Sequence, residues 1–193
     1  MLDEVILKCE IKQENLNNSI KKLNKKIEKL NILNEANSFL LSFSDMLRQS
    51  IIGKLENIVN YALKGVFDDK NIEFTIISQQ DKRLKYELYV RTNGILTGLF
   101  KEKGGGVLDI ITLSLRIGYL SILKSHLRQV LLLDEPFKNL DKIRLPKAIK
   151  WLKELQKMLN IQFIIITHIE DLIEDKEIKT FNVKQINGIS KVK

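Results

Sequence analysis

Cysteine occurs once in this 193-residue chain, at Cys9, so an internal disulfide framework is excluded. Proline occurs only twice, and neither proline nor glycine interrupts the first 50 residues, which leaves a long unbroken helix open to that stretch. No secretory-signal pattern is present, and no continuous apolar run approaches the roughly 18 residues of a membrane span. Together these absences predict a soluble cytoplasmic protein with no membrane partner. Internal repeats and low-complexity linkers are also lacking. With 44% hydrophobic residues, the chain has enough for one ordinary core, or for a smaller core plus an extension. Its 32 basic residues outnumber 24 acidic ones, for a net charge of +8 and a pI near 9.4. That balance suits a phosphate backbone, but the acids are spread along the chain, so charge permits DNA contact without requiring it.

What the sequence does contain begins with a heptad seam. Leu2, Ile6, Cys9, Gln13, Leu16, Ile20, Leu23, Ile27 and Leu30 recur at alternating spacings of four and three, with Gln13 as the one polar member. Lys21, Lys22, Lys25, Lys26 and Lys29 lie off the seam. Such a stripe reads as one strand of a left-handed coiled coil, and it is too narrow to bury itself. No other part of the chain has a matching run, so the partner strand is expected from another polypeptide. The seam weakens over Asn31 to Ser38, and we place the end of the arm at residue 37. From Phe39 to Phe67 the helical period continues with a wider stripe, predicted to dock on a globular body formed by residues 38–193.

Downstream, Ile72 to Ile77 and Leu84 to Thr92 read as an antiparallel hairpin joined by the polar run Ser78 to Arg83. The chain from Gly94 to the triple glycine reads as loop, and Val107 to Leu123 as helix. Val130 to Leu133 and Ile161 to Ile166 are short continuous apolar runs flanking an amphipathic helix from about Pro146 to Leu159. Strand, helix, strand predicts a parallel crossover and an α/β fold, with the first strand buried. Ile178 to Val183 and Ile189 to Val192, around Asn187-Gly188, predict a terminal hairpin.

The chemistry concentrates where the first apolar run meets Asp134-Glu135-Pro136. At the carboxyl end of a parallel strand, where α/β sheets bind ligands, one carboxylate can hold Mg²⁺ and its neighbour can polarise an attacking water. Alone, the string has a second, less favoured reading as a strand running into a solvated acidic turn. Its surroundings favour the functional reading. Asn139-Leu140-Asp141 follows directly, and one crossover later Phe163 to Ile166 runs into Thr167-His168, where an imidazole can reach a γ-phosphate oxygen. About thirty residues before the acidic pair, Gly104-Gly105-Gly106 opens a helix; glycines there let phosphate approach exposed N–H groups and the positive end of the dipole.

The arm, hairpin, glycine run, LLLDEP, NLD and IIITH stand in the order found in the C-terminal head segment of SMC, SbcC and related DNA-repair ATPases, which nearly the whole chain resembles. The SbcC-like ATPases of bacteria and their phages are the nearest pattern. The resemblance implies the C-terminal lobe of an ABC-type, P-loop-like head using ATP and Mg²⁺. Asp134 would support the metal, Glu135 would be the catalytic carboxylate, Asp141 the D-loop acid and His168 the switch histidine. Gly104, Gly105 and Gly106 would form the signature that faces nucleotide on a second head. DNA and a nuclease subunit are the partners it implies beyond that second head.

Two departures qualify it. Counting back from Arg116, the place usually held by the signature serine falls on Gly104, and the next polar position falls on Val107. Further, no P-loop can be built: the only Gly-Lys pair, Gly53-Lys54, lies in a helical pattern before Leu55, with Arg48 where the first glycine would stand. The Walker A loop must come from an N-terminal head segment. A non-catalytic scaffold is the alternative from another class. A transporter nucleotide-binding domain is disfavoured, because it would carry its own Walker A and no coiled-coil arm.

Overall fold

A computed structural model of the chain describes residues 2–69, 71–80, 84–100, 104–123, 127–173, 175–186 and 189–192. It divides into two compact units, residues 1–50 and 51–193. One helix, α1, runs through both, from Leu2 to Phe67, so the weakened heptad at Asn31 to Ser38 does not break it. With no proline or glycine before Gly53, every backbone N–H in this stretch can join the ladder.

In the first unit the seam residues Leu16, Ile20, Leu23, Ile27 and Leu30 are all exposed, as one strand of an uncompleted coil must be. The side chain of Cys9 lies outside the described residues. The wider stripe corrects our expectation. Phe39, Leu40, Phe43, Met46, Leu47 and Ile51 stay exposed, with the Phe39 and Phe43 rings stacked at 6.2 Å, and burial begins only further along at Val59, Ala62, Leu63 and Val66. A helical period shows that a face is apolar, not which turns of it find a body to cover them.

In the second unit, β1 (Ile72–Gln80), β2 (Leu84–Thr92) and β3 (Ile95–Gly98) form an antiparallel meander. The residues joining β1 to β2, 81–83, lie outside the described set. Strand β3 falls where a loop is expected. Asn93 and Gly94 both have positive φ, 51° and 83°, the geometry of a type I′ turn, and Asn-Gly is the dipeptide that best tolerates it. The outer edge of β1 is closed by α1 side chains. Asn60 accepts from the Phe74 N–H (2.7 Å) and donates to its carbonyl (3.0 Å), while Glu56 accepts from the Ile76 N–H (2.7 Å).

Helix α2 (Gly105–Ile122) starts two residues earlier than the apolar pattern indicates, so the triple glycine is its N-cap and first turn rather than a loop before it. It is the one helix among the described residues with the length and hydropathy to cross a membrane, yet Ile110, Ile111, Leu113, Ser114, Ile117, Gly118 and Leu120 are buried. These features mark a core helix. At Gly118 it crosses α1 so closely that a Cβ would lie 2.9 Å from Leu55 Cδ2.

Strand β4 (Val130–Asp134), helix α3 (Leu145–Leu159) and strand β5 (Gln162–Ile166) form the predicted parallel crossover, pairing Leu132 with Ile164 and Asp134 with Ile166. Helix α3 ends at Asn160 in the left-handed conformation, a common helix stop. One face of this small sheet packs on the core through Leu133, Leu131, Phe163 and Ile165. The other face, Val130, Leu132, Ile164 and Ile166, is exposed, with Leu132 64% accessible. The expectation that the first strand is buried is therefore wrong on one face. Burial of both faces of a parallel sheet takes two covering layers, and the described residues supply one. A short α4 (Glu170–Ile173) leads to β6 (Val183–Ile186) and β7 (Ile189–Val192). The terminal hairpin thus begins at Val183 rather than Ile178, and its turn at Asn187-Gly188 lies outside the described residues.

Candidate functional site

The carboxyl ends of β4 and β5 carry the first group of candidates. Because Asp134 pairs with Ile166, the residues just beyond them, Glu135 and Thr167-His168, emerge side by side. Glu135 has φ 46°, an uncommon conformation for a side chain with a Cβ, and its N–H donates to the Ile166 carbonyl at 2.9 Å. This bend turns its carboxylate onto the neighbouring strand end. Oε1 lies 2.8 Å from His168 Nδ1, and Thr167 Oγ1 donates to Oε2 at 3.3 Å. The His168 hydrogen bond, helped by the imidazole charge, the Thr167 hydroxyl and the His168 backbone N–H, holds the Glu135 carboxyl below the usual glutamate range, against a smaller opposing effect of desolvation.

The pairing constrains the proton on His168. An ionised carboxylate can only accept, so Nδ1 carries the hydrogen, and Nε2 can donate only when the ring is doubly protonated or turns away from Glu135. With 82% of its side chain accessible, His168 is reachable by a ligand. Asp134 is exposed at the end of β4. Among the described residues no group of three or more His, Cys, Asp or Glu could hold a metal by itself. A single carboxylate does fit Mg²⁺ that arrives with phosphates and keeps several waters, so Asp134 suits a nucleotide-borne ion and not a protein-caged one.

The second group surrounds the start of α2. Gly104 is the N-cap, with φ −60° and ψ 147°, and no side chain caps this end. Its carbonyl accepts from the N–H groups of Val107 and Leu108, while those of Gly105 and Gly106 belong to the first turn, where no intrahelical acceptor exists. A Cβ on Gly105 would come 2.9 Å from Asn139 Cβ, and one on Gly106 3.0 Å from the Asn139 carbonyl oxygen. Only glycine lets the helix start and the Asn139-Leu140-Asp141 loop approach this closely. The two line a groove of about 440 Å³ with Arg144.

Asp141 is anchored within its own loop. It accepts from the backbone N–H groups of Ile143 (3.1 Å) and Arg144 (2.9 Å) and from the Arg144 guanidinium, which also stacks over Phe67 at 5.2 Å. The Arg144 N–H, reinforced by the guanidinium, keeps this carboxyl below the ordinary aspartate range. The fold thus brings Glu135 to His168, and the three glycines to Asp141, as two built groups. Sequence reading missed Thr167, Arg144 and Asp109. Thr167 adjoins His168 and was within reach of inspection. Asp109 bonds Asn139 at a sequence separation of 30, in a register that only the packing of α2 reveals.

The site thus sits in an α/β fold, with acidic, histidine and helix-N-terminal glycine groups at strand and helix ends. Solved structures give the particular fold. The SMC head domain with a coiled coil and joint from Pyrococcus yayanosii matches over 86% of this chain and 31% of that chain, at TM-score 0.66 and 16% identity. A chain from work on ATP-driven dimerisation and DNA-stimulated activation of SMC ATPases matches over 77% and 86%, at 0.59 and 17%. An SMC head bound to the C-terminal winged-helix domain of ScpA matches over 73% and 42%, at 0.58 and 19%. The chain therefore has the fold of an SMC head segment with its coiled-coil helix, and spans less than half of two of these three relatives. No family model matches, and no curated protein does.

Proposed function

We propose that this chain is the water-activating and signature half of an SbcC-like, DNA-associated ATPase head, completed by a Walker A-containing segment. The observation that carries the reading is the bare apolar face of the β4–β5 sheet, with Asp134 and Glu135 at its end. A parallel sheet needs a layer on each side, and a nucleotide site with an acidic pair but no phosphate-gripping loop needs that loop from elsewhere. A single added segment meets both needs. The exposed heptad seam offers it a second attachment.

In the completed head, Asp134 would hold Mg²⁺ brought by ATP, and the ion would neutralise charge on the phosphates. Glu135 would accept hydrogen-bonding from the attacking water once His168 leaves it for the γ-phosphate. Gly105 and Gly106 would present their N–H groups to nucleotide on an opposing head, closing two heads on ATP and releasing them on hydrolysis. DNA, a nuclease subunit and a role in repair or recombination in the cytoplasm of a bacterium or phage host belong to the same reading, supported by the family pattern and by a basic charge balance.

One observation favours a scaffold without turnover: Gly104 brings no hydroxyl to the signature. Mixing the chain with a Walker A-containing segment and measuring ATP hydrolysis separates the two. The ATPase reading expects turnover that falls about 100-fold or more in Glu135→Gln. Absence of turnover in the wild-type mixture, or full activity in the variant, would reject it.

A further inference from the structure

Helix α2 carries, one turn past the glycines, a carboxylate with no place in the reading above. Asp109 Oδ2 accepts from the Asn139 backbone N–H and Oδ1 from the Asn139 side-chain amide, each at 3.2 Å. On its other side Asn139 is pressed against Gly105 and Gly106, where an added Cβ would approach within 3.0 Å. Asn139 is therefore gripped by two turns of one helix, at its backbone and at its side chain. That helix is anchored in the core, since Ile110 and Ile111 beside Asp109, and Ile117 further along, are fully buried.

We propose that Asp109 is a positioning residue that locks the Asn139–Asp141 loop to the glycine end of α2, so that the two edges of the groove move as one piece. The proposal rests on the ATPase reading for its consequence in catalysis, and on geometry alone for the lock. Two acceptors on a core helix fix both the position and the roll of Asn139, which a single hydrogen bond would not. Asp141, two residues on and lining the same groove, is then set relative to Gly105 and Gly106. Nucleotide drawn against the glycines would also meet the loop in its working position.

Two measurements on the full chain test it. In amide hydrogen exchange, Asp109→Ala is expected to speed exchange at Asn139 about tenfold, with Leu133 and Ile165 in the core unchanged. Asp109→Asn, whose amide can keep both bonds by accepting from the Asn139 backbone N–H and donating to the oxygen of a turned-over Asn139 side chain, is expected to restore most of the protection. In the mixture with a Walker A-containing segment, the alanine variant is expected to lower kcat about tenfold with KM for ATP unchanged, and the asparagine variant to recover it. Unchanged exchange at Asn139 would overturn the proposal, as would unchanged kcat beside an active wild type. If the wild-type mixture is inactive, the ATPase reading falls, and exchange still decides whether Asp109 holds the loop.

Discussion

Glu135 Oε1 lies 2.8 Å from His168 Nδ1, so the carboxylate and imidazole at the two strand ends hold each other. The contact crosses 33 residues of sequence and exists because β4 and β5 pair in parallel register.

The first prediction concerns pH. The Glu135 carboxyl titrates below an ordinary glutamate, chiefly through His168. Its contribution to stability is therefore present above the unfolded-state value and lost as pH falls through the folded one. Carboxyl-carbon NMR titration is expected to place Glu135 below the ordinary glutamate range. His168→Ala is expected to move it upward; an unmoved Glu135 would show that the imidazole is not the cause.

The second concerns the bare sheet face. Leu132 is exposed and Leu133 buried on adjacent positions of one strand. Leu132→Asp is expected to change the stability of the isolated chain by less than about 0.5 kcal/mol and to abolish association with a Walker A-containing segment. Leu133→Ala is expected to cost about 2–5 kcal/mol. Denaturant melts with pull-down of the segment measure both.

A third prediction separates the three glycines. Gly104 has open space around it and an ordinary φ, so Gly104→Ser should fold unchanged and, by returning a hydroxyl to the signature, raise ATP turnover of the completed head. Gly106→Ala meets a backbone carbonyl and should displace the Asn139 loop and lower turnover. Steady-state assays of both variants decide the order; a slower serine variant would remove the hydroxyl argument.

The fourth addresses the arm. Ile20→Ser with Leu23→Ser should weaken association with the completing segment while leaving the thermal melting of residues 51–193 unmoved, because these side chains are exposed and lie in the other unit. Calorimetry with and without the segment reads both effects. A lowered melting temperature in the chain alone would contradict the division.

Much of this was legible in the residues. The heptad spacing, the apolar runs and the amphipathic helix between them determined the long helix and the parallel crossover, since period and run length depend on local geometry alone. Asp134, Glu135 and His168 could be singled out because strand ends are where chemistry collects in such folds. Asn93-Gly94 carried the signal for β3 and was passed over. The tertiary structure alone decided which faces are covered: the exposure of Phe39 to Ile51 and of Leu132 and Ile164, and the meetings of Glu135 with His168 and Asp109 with Asn139. Apolar patterning says that a surface must be buried, but the partner that buries it, and the register in which distant residues meet, depend on long-range packing that no local spacing encodes.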